Sequence, residues 1–317
     1  MQTATAEKAP VGATTIASIT RAIRGPVFVP TDRGALGVLA GTTFLIDGDS
    51  HLFDFATPVI LPDLVAGTDY VIRLVDNVLQ ASPAENSVRD GSVWGADLDG
   101  VLGGFHFAPG GNATARAGGD ELPAINPYSC WDIGYRPACE DPRGMACIDG
   151  RFWCDIYLLG CNPFVGGSSR FGVVIADGTD VPMDETDEQP YDSLDHPTAV
   201  KIFGMLGKQL LGPEEFFAAT YGVTEGTSIG EDPKMTKLDV ARTSKWGVMQ
   251  ATGNMSTWGN DGDPDGPRNA WRFGGSWGVG GFAGSRFARV DYWPGYSAGW
   301  VGARGRSDHL QLESPAR

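Results

Sequence analysis

The chain has 317 residues, of which 42% are hydrophobic and 20% charged, with a net charge of −15 and a pI near 4.6. That is material for about two packed domains, at roughly 100–200 residues each, and too apolar for wholesale disorder. The acidic field excludes nucleic acid as a partner, since the most cationic group, Arg286, Arg289, Arg304 and Arg306, is interleaved with Asp291 and Asp308.

No apolar run approaches the roughly 18 residues that cross a bilayer, so membrane insertion is not expected. Residues 1–25 are small and polar, lack the charged and apolar blocks of a secretory signal, and read as extended or partly disordered. Synthesis and folding in a cytoplasm are therefore expected. From Gly25 to about Ser82, short runs such as VFVP, TTFLID and DYVIRLVD are bounded by Gly, Pro and Asp. Their spacing predicts a small β-rich, sandwich-like domain over 1–92, with 81–92 as a linker.

The second domain is expected over 93–317. It opens with further β-like runs and then a segment, 174–197, with eight acidic residues and no basic one. A solvated acidic loop is the reading there, with calcium binding as the alternative. Helices follow: 196–212 places Val200, Phe203, Leu206 and Leu210 at helical spacing behind Pro197. A second, 212–223, has Pro213, Glu214 and Glu215 at its positive end and Gly222 near its stop. A third is read over 236–248. Helices between short strands give an α+β fold.

Five cysteines, Cys130, Cys139, Cys147, Cys154 and Cys161, fall within 32 residues without C-x-x-C spacing. They read as small buried thiols rather than a zinc site or a disulfide framework. Asp261, Asp263, Asp265 and Gly266 begin like a calcium loop, but Arg272 stands where an EF-hand needs glutamate. A bound Ca²⁺ and a plain Asp/Gly/Pro turn both remain open there. No cofactor is otherwise required.

Between Phe273 and Ala303 lie eight aromatics and nine glycines, with no lysine and no cysteine. No helical or strand period runs through them. Rigid rings on a sharply turning backbone are the material of a recognition surface. Phe282, Tyr292, Tyr296 and Trp300 are read as surface, Phe273 and Trp277 as core. Arg304 is expected to pair with Asp308, and His309 to be a satisfied structural histidine rather than a catalytic one.

The segments GVMQATGNMSTWG (247–259), RFGGSW (272–277) and VGAR (301–304) resemble the C-type-lectin-like fold of the formylglycine-generating-enzyme type. Within it, FGGSW, AGSR (283–286) and GARGRSDHLQLE (302–313) resemble the retroelement-diversified variable proteins, which include receptor-binding tips of phage tail fibres. The close resemblance covers about 245–313, and the fold-level one about 93–317. It implies a constant frame of Phe273, Gly274, Gly275, Trp277, Gly284, Ser285, Arg286, Gly302, Ala303, Arg304, Gly305, Asp308 and His309. The exchangeable, ligand-facing set, within a variable region of about 271–305, becomes Ser276, Gly278, Val279, Gly280, Phe282, Arg289, Asp291, Tyr292, Tyr296, Ala298, Trp300 and Val301. Ser307 departs from the cysteine that the family often carries there.

The resemblance further implies a non-enzymatic phage or prophage tail protein, located on the virion tail and bound to other tail or fibre proteins. It would recognise a host-surface protein or glycan, and form a homotrimer. One alternative is a cytoplasmic or exported bacterial protein with its own ligand. The other is an oxidase on the same fold, which needs late cysteines; none follows Cys161.

Overall fold

A computed structural model describes residues 16–89, 92–111, 119–260 and 270–310. The first half is built from hairpins. Thr42–Ile46 turns through Asp47 and Gly48, both at positive φ (51° and 90°), into Asp49–Phe53, and Ile16–Thr20 pairs along its other edge. A two-residue turn of this hand suits the right-handed twist of paired strands. The next hairpin sets Phe28–Asp32 against Ala35–Val38, which also pairs with Thr57–Pro58. Thr68–Val75 and Val78–Pro83 join through Asp76 and Asn77 in the same way.

Thr68–Val75 pairs on its other side with Gly103–Ala108, so one sheet spans the expected domain junction near residue 92. Gly103 and Gly104 allow this approach: a side chain would meet the Trp131 carbonyl at 2.3 Å or the Tyr70 carbonyl at 2.4 Å. The expected linker is itself structured, because Val78–Pro83 is followed by the hairpin Asn86–Arg89 and Ser92–Ala96. A single core runs beneath these sheets, from Val27 and Phe28 through Phe44 and Tyr70 to Phe105 and Cys130.

The second half packs two four-stranded sheets and two helices. One sheet orders Met145–Ile148, Phe152–Asp155, Gly305–Asp308 and Gln209–Leu210. The other orders Ala288–Tyr292, Ala270–Phe273, Ser256–Trp258 and Val301–Gly302, the last pair being parallel. Helix α1, His196–Met205, begins where Asp195 accepts from the Thr198 amide at 2.9 Å, with Pro197 in its first turn. It buries His196, Ala199, Ile202 and Phe203. Val200 is 49% exposed, and Leu210, though buried in the same core, reaches it from a strand, so the helix supplies only part of the expected apolar stripe. Helix α2 spans Pro213–Ala219 and packs Phe216 on Phe273, ring centroids 4.9 Å apart.

The third expected helix is only a 3-10 turn, Val240–Arg242. The cause is local. Thr243 Oγ1 donates to the Asp239 carbonyl, and Ser244 Oγ accepts from the Trp246 and Val248 amides. Side chains that bind nearby backbone compete with helix, and Gly247 at φ 80° ends the segment.

Arg304 does not pair with Asp308. Its guanidinium is buried and donates to the carbonyls of Asp155 (2.8 Å), Ile156 (2.7 Å) and Met249 (2.6 Å). Asp308 pairs instead with Arg306, which also reaches Glu215. The neighbouring carboxylate, Asp155, accepts from Lys208 Nζ at 2.6 Å, from Ser168 Oγ at 2.7 Å and from the Gly305 amide. His309 Nδ1 accepts from Trp153 Nε1 at 2.8 Å, and burial holds its pKa below the usual range. Four of the five cysteines are buried and Cys161 is half-buried; all are free thiols. Burial pushes Cys154 up to about 12 and Cys161 to about 11.

Arg304→Met is expected to lower the free energy of unfolding by about 3 kcal/mol, because buried carbonyls lose charged donors. Urea denaturation measures this. A loss under about 1 kcal/mol would mean that the guanidinium is not what holds those segments.

Candidate functional site

The antiparallel pair Ala270–Phe273 and Ala288–Tyr292, with a register shift between Ala270 and Arg272, sets Arg272 opposite Arg289 and brings Asp291 and Tyr292 to the same neighbourhood. Between these strands the chain loops through 274–287. It leaves the first strand by two left-handed glycines, Gly274 (φ 82°) and Gly275 (φ 76°), whose carbonyls accept from the Gly253 amide. Trp277 N donates to the Asn254 carbonyl at 2.8 Å.

A separate segment, 225–230, braces the outer side of this loop. Gly226 N donates to the Ala283 carbonyl at 2.9 Å. Gly230 N (3.1 Å) and Ser228 Oγ (2.8 Å) both donate to the Trp277 carbonyl, while Ser228 Oγ accepts from Gly280 N. Glu225 accepts from the amide and the hydroxyl of Ser285. A side chain on Gly284 would lie 2.0 Å from that carboxylate. Each of these bonds uses main-chain atoms of the loop or the hydroxyl of Ser285. The side chains at 276, 278, 279, 280 and 282 carry none of them.

Seven of the twelve expected contact residues line one groove of about 300 Å³: Ser276, Gly278, Val279, Arg289, Asp291, Tyr292 and Trp300. Ser256, Arg272, Trp277 and Phe287 complete it. Arg272 is buried within it. Its guanidinium lies 4.3 Å from the Tyr292 ring centroid and 4.8 Å from that of Trp300, and it bonds to Asp291. Arg289, on the rim, reaches Asp291 at 3.5 Å.

The expected set then divides. Gly280 and Phe282 are exposed, Phe282 at 78%, and Phe282 lines a second depression beside Glu225 and Arg286. Tyr292, Tyr296 and Trp300 are half-buried: their centroids lie 4.1–5.7 Å apart, and they pack on the core of Leu159, Leu194 and Trp258. These rings are thus contact surface and core edge at once. Ala298 accepts from Gly178 N at 3.1 Å, where the acidic segment meets the site. Val301 is fully buried in the strand beside Ser256, away from the surface on which it was expected. Phe273 is core as expected, whereas Trp277 is only partly buried.

The sequence reading missed Arg272, Ser256 and Phe287 in the groove, and Trp293, which is 62% exposed. For Trp293 a signal was present, since it directly follows the chosen Asp291 and Tyr292. Asp261, Asp263 and Asp265 lie outside the described residues. Among the described residues no group of three or more His, Cys, Asp or Glu is placed to hold a metal, and no helix is long and apolar enough to cross a membrane.

Two small sheets with flanking helices, presenting side chains from a loop whose path other residues secure, define a C-type-lectin-like binding protein. Comparison with known proteins agrees in detail. A family model described as the Mtd second domain matches residues 26–132. The tail fiber receptor-binding protein of Bordetella phage BPP-1 is 37% identical, over 90% of this chain and 83% of that protein. Solved structures of the Major Tropism Determinant are similar throughout. The M1 variant superposes with a TM-score of 0.85 at 36% identity, and the U1 variant with 0.84 at 35%, each covering 93% of this chain and 86% of the other. The chain belongs to the major tropism determinant family.

Burial separates the aromatic residues into testable groups. Phe282→Ala is expected to change stability by no more than about 0.5 kcal/mol, whereas Tyr292→Ala combined with Tyr296→Ala is expected to cost about 2 kcal/mol. Thermal melting of the purified variants reads both. Equal effects would remove the distinction between exposed contact and core edge.

Proposed function

We propose that this chain is the receptor-binding protein of a phage tail fibre, and that it contacts a host-surface receptor through the groove around Arg272, Tyr292 and Trp300 and the adjoining Phe282. The observation that carries this is the bracing of loop 274–287. Its path depends on Gly226, Ser228, Gly230, Glu225 and Asn254 acting on main-chain atoms and Ser285. The side chains at 276, 278, 279, 280 and 282 carry none of these bonds and can be exchanged while the bracing stays in place, which is what a diversified binding loop requires. Exposed Phe282 and Trp293 supply the large, low-entropy contact area typical of interface hot spots. No catalytic role is proposed: no cysteine lines the groove, and four of the five are buried.

Diversification by a retroelement, assembly with tail proteins and a trimeric form belong to the same reading. Several weak sites on one fibre tip gain avidity without any new contact. Purified protein carrying Phe282→Ala and Trp293→Ala is expected to lose adsorption to host cells by about tenfold or more, the equivalent of about 1.4 kcal/mol. Unchanged adsorption with an unchanged melting curve would sink the assignment of this face. The diversification reading has its own test. The neighbouring DNA is expected to hold a near-copy of the 271–313 coding stretch, differing at adenines, beside a reverse-transcriptase gene. A neighbourhood without either would overturn it.

A further inference from the structure

The floor of the groove is made by residues outside the exchangeable set. Ser256 is 1% exposed and Arg272 is 3% exposed, and Trp277 lies beside them. Each carries a buried polar atom with no partner in the protein: Ser256 Oγ, Arg272 Nε and Trp277 Nε1. Leaving such an atom unpaired costs about 1–3 kcal/mol, so three beside one groove call for a ligand or water that satisfies them. Two of the three can only donate, and the serine can do either.

The side-chain acceptors in the groove are the hydroxyls of Ser256, Ser276 and Tyr292 and a single carboxylate. That carboxylate, Asp291, is already engaged by Arg272 and faced by Arg289. Two arginines against one aspartate leave the groove with a formal charge of +1, on a chain whose net charge is −15. Each sugar hydroxyl brings a donor hydrogen beside its acceptor lone pairs and needs an acceptor opposite that hydrogen. A carboxylate brings acceptor oxygens alone, matches guanidinium geometry and relieves the excess positive charge. The walls, Tyr292 and Trp300, are suited to packing the methylene stem of an acidic side chain.

We propose that this groove is an anchor site for a carboxylate, supplied by an aspartate or glutamate side chain of a protein receptor. The inference rests on the receptor-binding reading and deepens it. The donors Ser256, Arg272 and Trp277 lie outside the exchangeable positions, whereas Arg289, Asp291, Tyr292 and Trp300 lie within them, so exchange tunes the charge and walls around a constant set of donors.

The test uses the full chain, labelled with ¹⁵N at tryptophan, with the Trp277 indole N–H assigned through Trp277→Phe. Propionate, the side chain of glutamate, is titrated at constant ionic strength against propionamide, the side chain of glutamine. Propionate is expected to shift the Trp277 resonance saturably, with propionamide at least about tenfold weaker. Arg289→Gln is expected to weaken propionate about threefold, as an exposed charge should. An equal response to both probes, or no saturable shift with propionate, overturns the proposal. So does a saturable shift with methyl galactoside but not propionate, which would identify a glycan site. Absent adsorption with the propionate response intact would strike the receptor reading alone. Intact adsorption without that response would strike this inference alone.

Discussion

Arg304 stands where the chain crosses from one sheet of the second half to the other. Val301–Gly302 ends in the sheet that carries the groove, and Gly305–Asp308 begins in the sheet that joins it to the rest of the fold. Between them the guanidinium grips carbonyls at Asp155, Ile156 and Met249, which belong to segments far apart in sequence. A charged group this deeply buried is tolerable only because neutral carbonyl dipoles surround it. The strand Ser256–Trp258, which supplies Ser256 to the groove, follows Met249 in the chain and pairs with Val301–Gly302, so both segments leading into the groove start beside this contact.

The bracing of the loop solves a second problem by a different route. A loop held by its own side chains would change path whenever they changed. Here a neighbouring segment, 225–230, takes over that task through two amides, one hydroxyl and one carboxylate. The left-handed glycines at 274 and 275 set the departure angle, and no other residue type adopts those angles so readily. Exposed side chains such as Phe282 are then answerable to the ligand and not to the fold.

Much of this was legible in the sequence, for identifiable reasons. The first two helices announce themselves by Pro197, and by Pro213 with Glu214 and Glu215, because the preferences of a first turn are written in adjacent residues; the Asp195 cap was added by the structure. The G-G-S-W and G-x-R blocks marked the frame of the lectin-like module, since close backbone approach leaves few residue types to choose from. What depended on distant partners was not legible. Arg304 was matched to the nearest acid in sequence, whereas its partners are about 50 to 150 residues away. Arg272 was passed over for the same reason: its rings and its aspartate converge only when two strands pair. Val301 entered the exchangeable set through the family resemblance, but the parallel pairing with Ser256 buries it.

The cluster of Tyr292, Tyr296 and Trp300 has a consequence for how such a surface evolves. Their rings touch one another, Arg272 is sandwiched against two of them, and all three lean on the core. Contacting residues do not contribute additively, so replacement at one position alters what the other two tolerate. Nominally independent positions are thereby epistatic. The repertoire that this corner can explore is smaller than the product of its parts, and movement through it favours coordinated changes, whereas a solitary ring such as Phe282 is free to change alone.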